Sequence, residues 1–197
     1  MIYPVDYRII PLSEIELNKN EVLLRLQVSR NSDISFDLKC VSELENQIIC
    51  KYSAVRTQVS FNGENSLNCG FGDVFSSDLK KNLSGCKEAF VFAVTLGIGV
   101  DRFLNKLALT SPANHFIADA YASAYAEAAA DKAEYFIKGS LNCRPRFSPG
   151  YGDLDLSCQG RVLELVNAPR LLGVNLNRSL LMTPVKTITA IVGIEND

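Results

Sequence analysis

The residues best suited to chemistry lie in one short run, Arg146-Phe147-Ser148-Pro149-Gly150-Tyr151. Arginine offers a planar fork of donors that matches a carboxylate. Tyr151 adds a ring and a hydroxyl. Pro149 fixes one backbone torsion, and Gly150 admits torsions and close approaches closed to other residues. Gly152 adds a second permissive point. A backbone shaped in this way can turn its amides and carbonyls toward a ligand. The set suits a small zwitterion with an aromatic or sulfonium part. The same composition also builds a structural Pro-Gly turn with a surface arginine, and local chemistry alone favours that plainer reading.

Other candidates are weaker. Gly97-Ile98-Gly99 stands between an expected strand and an expected helix, where a dinucleotide fingerprint begins. Arg102 occupies the place of the third glycine, so a tight strand-to-helix turn is the better reading. Asp101, Asp119, Glu127 and Asp131 fall in or near helices and read as solvated surface charges. No nucleophile–base pair emerges. His115 is the only histidine, which excludes mechanisms needing two. The six cysteines, at 40, 50, 69, 86, 143 and 158, form no Cys-x-x-Cys pair and match no zinc spacing. They read as buried or half-buried free thiols. Any chemistry is expected to consist of positioning a reactive small molecule.

The elements that must position this run follow from periodicity and from glycine and proline. Helices are predicted over Asn18–Leu26, capped by Asn18, and over Ser42–Lys51, capped by Ser42. Val55–Phe61 and Leu67–Phe71 read as strands joined by the turn Asn62-Gly63-Glu64-Asn65. A short helix is expected over Ser77–Leu83, a buried strand over Glu88–Leu96 and a helix over Val100–Leu109. The clearest helix is Pro112–Lys138, with Ser111 as cap, Pro112 in its first turn and Gly139 as its stop. Its many alanines permit close packing. Cys143–Gly152 is irregular, Ser157–Val166 reads as a helix capped by Ser157, and Gly173–Asn177 reads as a loop. Thr187–Ile194 is a terminal strand. Four or five strands without regular alternation with helices favour an α+β fold.

The bulk properties are those of an ordinary globular chain. Its 197 residues suit one domain with its own core. Hydrophobic residues make up 47% and charged residues 21%, with a formal net charge of −2. No basic block marks a nucleic-acid surface. The longest apolar runs, Phe90–Gly97 and Ile188–Ile194, are too short to span a bilayer. The N-terminal residues lack a basic segment followed by an apolar run, so no signal peptide is expected and a cytoplasmic location is.

Set in its surroundings, Arg146-Phe147-Ser148-Pro149-Gly150-Tyr151-Gly152-Asp153 resembles the Arg-x-x-x-Gly-Tyr motif of the activation domain of cobalamin-dependent methionine synthase. Phe90 to Gly97 followed by Val100-Asp101-Arg102, the stretch Leu79 to Cys86, and Thr183 to Ala190 resemble further segments of that family, in its stand-alone members. The likeness is patchy and covers most of residues 15 to 194. It implies a single α+β domain over residues 1–197, with a bent, mainly antiparallel sheet flanked by helices. It also implies a protein that binds S-adenosylmethionine and presents its methyl group for reductive methylation of cob(II)alamin. No cobalamin-, homocysteine- or folate-binding module is recognisable, so the cobalamin would sit on a partner of the methionine synthase type. Flavodoxin or another donor would supply the electron. Such a chain would be an accessory component of a methyltransferase in methionine biosynthesis, not a complete enzyme.

The resemblance also implies site residues. Arg146 would pair with the ligand carboxylate, the backbone of Ser148, Pro149 and Gly150 would hold the ligand, and Tyr151 would face the corrin. Terminal-strand contacts would fall at Val192 and Gly193, which are aromatic in the long synthases and are not aromatic here. Asn18 stands where an aspartate would receive the ligand's amino group. A neutral amide accepts a weaker bond than a carboxylate, so weaker binding or a shifted ligand is expected. The alternative is a binding or interaction module that kept the fold and lost the use of S-adenosylmethionine.

Overall fold

The apolar run Glu88–Thr95 is buried at nearly every residue, on both sides of the strand it forms. A strand of that kind needs partners at both edges and cover on both faces. The computed structural model describes residues 4–27, 38–63 and 66–196. In chain order its elements are β1 (Asp6–Ile10), α1 (Lys19–Arg25), α2 (Leu38–Glu45), β2 (Cys50–Gln58), β3 (Ser60–Phe61), β4 (Ser66–Asn68) and β5 (Asp73–Phe75). There follow α3 (Ser77–Asn82), β6 (Glu88–Thr95), α4 (Ile98–Thr110), α5 (Pro112–Lys138), α6 (Gln159–Leu165) and α7 (Ala168–Leu171). The chain closes with β7 (Asn175–Leu176), β8 (Met182–Thr183) and β9 (Thr187–Ile194).

The main sheet has the order β1-β2-β6-β9, and every pairing in it is antiparallel. Phe92 lies opposite Ala54 on β2 and Ala190 on β9, so one face of the sheet is continuous across the three strands. That face carries Tyr52, Phe92, Val94 and Val192 and is covered by α2, α4 and α5. The other face carries Val55, Val91 and Ile191. The small sheet β3-β4-β5, helix α3 and helix α6 cover it. The fold is therefore α+β, as the sequence pattern implied, with a mainly antiparallel sheet flanked by helices, as the family resemblance implied.

Helix α5 runs for 27 residues, roughly 40 Å. Ala118, Ala122, Ala129 and Ala133 are fully buried against the sheet, where short side chains let the helix lie close. Ala120 and Ala124 meet Val22 and Leu26 of the α1 region. Tyr121 and Tyr125 pack in the core, as their helical spacing implied, and the Tyr125 hydroxyl donates to Glu45.

Several local expectations are corrected. The second helix is Leu38–Glu45, not Ser42–Lys51, and β2 begins at Cys50 rather than Val55. Cys50, Tyr52 and Ala54 face one core, and Ser53 and Val55 are buried on the other side, so the strand is covered on both faces and shows no clear alternation in sequence. The strand read over Leu67–Phe71 is the shorter Ser66–Asn68. β1 had no sequence signal, because only Ile10 of this edge strand is buried. Ser111 precedes α5 without a side-chain capping bond. Asp155, not Ser157, caps the turn leading into α6, accepting from the Ser157 amide at 2.7 Å. Asn18 does cap α1, accepting from the Asn20 amide at 3.0 Å. In the turn Asn62–Asn65, Glu64 and Asn65 lie outside the described residues.

The close approach of α5 sets a stability test. Ala129→Leu is expected to destabilise the protein by about 1–3 kcal/mol through overpacking. Ala113→Leu, on the exposed first turn of the same helix, should leave the urea midpoint nearly unchanged.

Candidate functional site

The segment from Asn142 to Ser148 runs along the outer edge of β9. Bridges join Cys143 to Ile194 and Phe147 to Ile191. Phe147 and Ile191 exchange both amide bonds at 2.9 and 2.8 Å, and the Arg144 amide donates to Gly193 at 2.8 Å. Four steps along the segment span three along β9, so one extra residue is accommodated beside Pro145. Such a bulge switches the face to which later side chains point. Cys143 accordingly packs on the α5 side of the sheet, whereas Phe147 joins the opposite core. Arg146, next to Phe147, is turned back toward α5.

The turn beyond is anchored to α3. The Asp153 carboxylate accepts from the Ser76 hydroxyl, from the Ser77 amide at 2.8 Å and from the Ser77 hydroxyl at 2.6 Å. It also accepts from the Asp78 amide at 3.2 Å, and Asp78 accepts from the Asp153 amide at 3.2 Å. Two free amides at the start of α3 are thus satisfied by a residue far along the chain. Gly152 has φ +50°, and a Cβ there would lie 2.3 Å from the Asp78 carboxylate. Hydrogen bonds from Ser76 and Ser77 hold the Asp153 carboxyl well below the usual carboxylate range.

Arg146 is not a loose surface side chain. Its guanidinium donates to Asp131 at 2.6 Å and to Glu134 at 3.3 Å, and lies 3.6 Å from Glu127. These carboxylates stand four and three residues apart on one face of α5. Partial burial opposes the charge on Arg146, but the bond to Asp131 and the nearby charges of Asp131, Glu134 and Glu127 outweigh it and raise its pKa. The guanidinium is permanently cationic.

Around this cluster is a cavity of about 410 Å³, walled by Glu127, Asp131, Arg146, Ser148, Tyr151 and Ile188 among others. A second hollow of about 470 Å³ shares Asp131 as a wall and continues past Lys132 and Tyr135 to Glu14 and Glu16. Ser148 is held by a 2.7 Å bond from its hydroxyl to the Thr189 carbonyl. Tyr151 is 57% exposed at the rim, edge-on to Phe147.

The structure brings Arg146, Ser148 and Tyr151 together. Gly150, with φ +86°, and the buried Pro149 shape the turn without lining the cavity. Asn18 lines neither hollow. Val192 is fully buried in the core over α5. A Cβ at Gly193 would meet Leu83 at 2.7 Å and Cys86 at 2.8 Å, so this residue is fitted to the protein interior. Ile188 is the β9 residue that reaches the cavity.

Of the acidic residues read as solvated surface charges, only Asp101 is buried; the other three stay at the surface but are paired. Glu127 and Asp131 bind Arg146, Asp119 binds Lys186 at 2.8 Å, and Asp101 is buried and accepts from the Val185 amide. The helical spacing of Glu127, Asp131 and Glu134 was visible, but not what it faced. Gly97 and Gly99 form the strand-to-helix turn expected of them, with Gly99 against the Gln47 carbonyl. None of the six cysteines is in a disulfide, and all but the half-buried Cys143 are buried. Burial pushes the Cys50 and Cys69 thiols up to about 12, far from thiolate chemistry. Among the described residues, no group of His, Cys, Asp and Glu is placed to hold a metal ion. No described helix is long and apolar enough to cross a membrane.

The Asp153 anchor carries a pH signature. A carboxyl with a depressed folded pKa contributes its full stabilisation above the unfolded value of about 3.9 and loses it as pH falls toward the folded one. Below about pH 4 the wild-type urea midpoint should therefore fall more steeply than that of Asp153→Asn. The variant should be the less stable of the two at pH 7, and the two curves should converge in acid.

No protein-family model matches the chain, and no curated protein matches it. A solved structure does: the crystal structure of the MetH reactivation domain bound to AdoHcy. The two align with a TM-score of 0.70 at 13% sequence identity, over 98% of this chain and 79% of the other. The chain has the fold of the MetH reactivation domain.

Proposed function

We propose that the chain is a stand-alone reactivation-type domain that binds S-adenosylmethionine in the groove between α5 and the Arg146–Tyr151 turn. The observation that carries this reading is the convergence of Arg146, Ser148 and Tyr151 on one cavity, in a fold whose solved relative is bound to AdoHcy. Charge supports it as well. The two hollows present Glu14, Glu16, Glu127, Asp131 and Glu134 against Lys132 and Arg146. A ligand with both an ammonium and a sulfonium, and one carboxylate, is a net cation and fits an acidic groove that contains one arginine.

In this reading Arg146 takes the ligand carboxylate, Ser148 walls the groove beside it, and Pro149 and Gly150 set the turn that carries them. Tyr151, exposed at the rim, faces the partner. The methyl group points outward, toward cob(II)alamin carried by a methionine synthase-type protein in the cytoplasm. That cobalamin, once reduced by flavodoxin or another one-electron donor, would be the acceptor of the methyl group, and S-adenosylhomocysteine would be left in the groove. The chain itself binds and orients. It is an accessory of the methyltransferase.

A second reading is favoured by two observations. Arg146 is already engaged by three carboxylates, and Asn18 is neutral and occupied as a helix cap. These suit a binding module that no longer uses S-adenosylmethionine. Calorimetry with S-adenosylmethionine separates the two. Measurable binding, weakened by about 1.5–3 kcal/mol in Arg146→Ala, is expected if the arginine makes a charged bond to the ligand. No heat at millimolar ligand, with or without a cobalamin protein, would leave the second reading standing.

A further inference from the structure

The cluster around Arg146 does not balance. One guanidinium faces three carboxylates, at 2.6 Å from Asp131, 3.3 Å from Glu134 and 3.6 Å from Glu127. Glu134 is mostly buried and has a second cation, Lys138 at 3.6 Å. Lys132, the other cation of the groove, is taken by Glu14 at 3.5 Å and lies over the rings of Tyr135 and Phe136. The excess negative charge therefore rests on Glu127 and Asp131. Of these, Asp131 is the more open: its side chain is 72% exposed, against 39% for Glu127. Among the described residues, Asp131 alone walls both hollows.

We infer that Asp131 is the acceptor for the α-ammonium of the bound ligand, so that Arg146 and Asp131 together form a cradle for an α-amino-acid zwitterion. In such a zwitterion the carboxylate and the ammonium share one carbon. Their receptors must then be adjacent and of opposite charge. Asp131 and Arg146 meet that requirement, being already within hydrogen-bond distance of each other. The ligand inserts between them and exchanges one ion pair for two. Glu127, one turn back along α5, adds a second negative charge on the ammonium side. Asn18 does not compete for this role, since its side-chain oxygen is bound to the Asn20 amide and lines neither hollow. The inference rests on the S-adenosylmethionine reading of the groove, and it makes recognition of the amino-acid end a property of α5.

The test compares wild type and Asp131→Asn by calorimetry with three probes. S-adenosylmethionine has both charged groups, decarboxylated S-adenosylmethionine keeps only the ammonium of the pair, and 5′-deoxy-5′-methylthioadenosine has neither. Asp131→Asn should bind the first two about ten- to a hundredfold more weakly and the third unchanged. Asp131→Glu should recover most of the loss. The exposure of Asp131 means that the melting temperature should hardly move. If Asp131→Asn binds S-adenosylmethionine more tightly, or decarboxylated S-adenosylmethionine equally well, Asp131 is only a counter-ion of Arg146 and the inference fails with the groove reading intact. If the folded wild type binds no S-adenosylmethionine, both fail together.

Discussion

The site depends on how the outer edge of β9 is closed. An edge strand leaves a row of amides and carbonyls unpaired, and some other backbone has to meet them. Here a stretch interrupted by Pro145 meets them, and it cannot form a regular strand. It bonds at Arg144 and at Phe147, and it carries an extra residue between its two bridges. That bulge is the device that sends Phe147 into one core and Arg146 over the other side of the sheet. A regular pairing would keep Phe147 on the same face as Cys143 and would turn its neighbour Arg146 away from α5.

Helix α5 is the second fixed element, and its faces divide the labour. One packs on the sheet through buried alanines, one meets α1, and one presents Glu127, Asp131 and Glu134 to Arg146. Because the sheet side uses short side chains, the helix axis lies close to the strands, and the acidic face comes within reach of a guanidinium mounted on the β9 edge. The packing of the core and the electrostatics of the groove are in this way the same geometric fact. An arginine among three carboxylates is held in one orientation, and removing it would leave like charges facing each other across a partly desolvated space.

The Asp153 anchor supplies the remaining constraint. By capping α3 from a distant part of the chain it ties the Arg146–Tyr151 turn to the small-sheet side of the molecule. The turn is thereby pinned at both ends, by backbone pairing at Phe147 and by a carboxylate at Asp153, while Tyr151 between them remains exposed.

Much of this was legible in the chain itself. The long alanine-rich helix, the buried strand at Glu88, the terminal strand at Thr187 and the shaped turn at Arg146 follow from period, composition and the torsions of proline and glycine. The resemblance to the methionine synthase activation domain could be read from motif residues, although identity with the solved relative is only 13%. Sequence left the edge strand β1 and the start of β2 unread, because burial that depends on a partner strand has no signature within a short window. It did not show that the acidic residues of α5 face Arg146, or that Val192 and Gly193 are packed into the interior. Helical spacing told which carboxylates share a face, and alternation told which strand residues share a side. Which face meets Arg146, and which side meets the core, depended on a one-residue bulge and on contacts between segments far apart in the chain. Local residue types determined what chemistry was available; only tertiary packing decided which charges stand together.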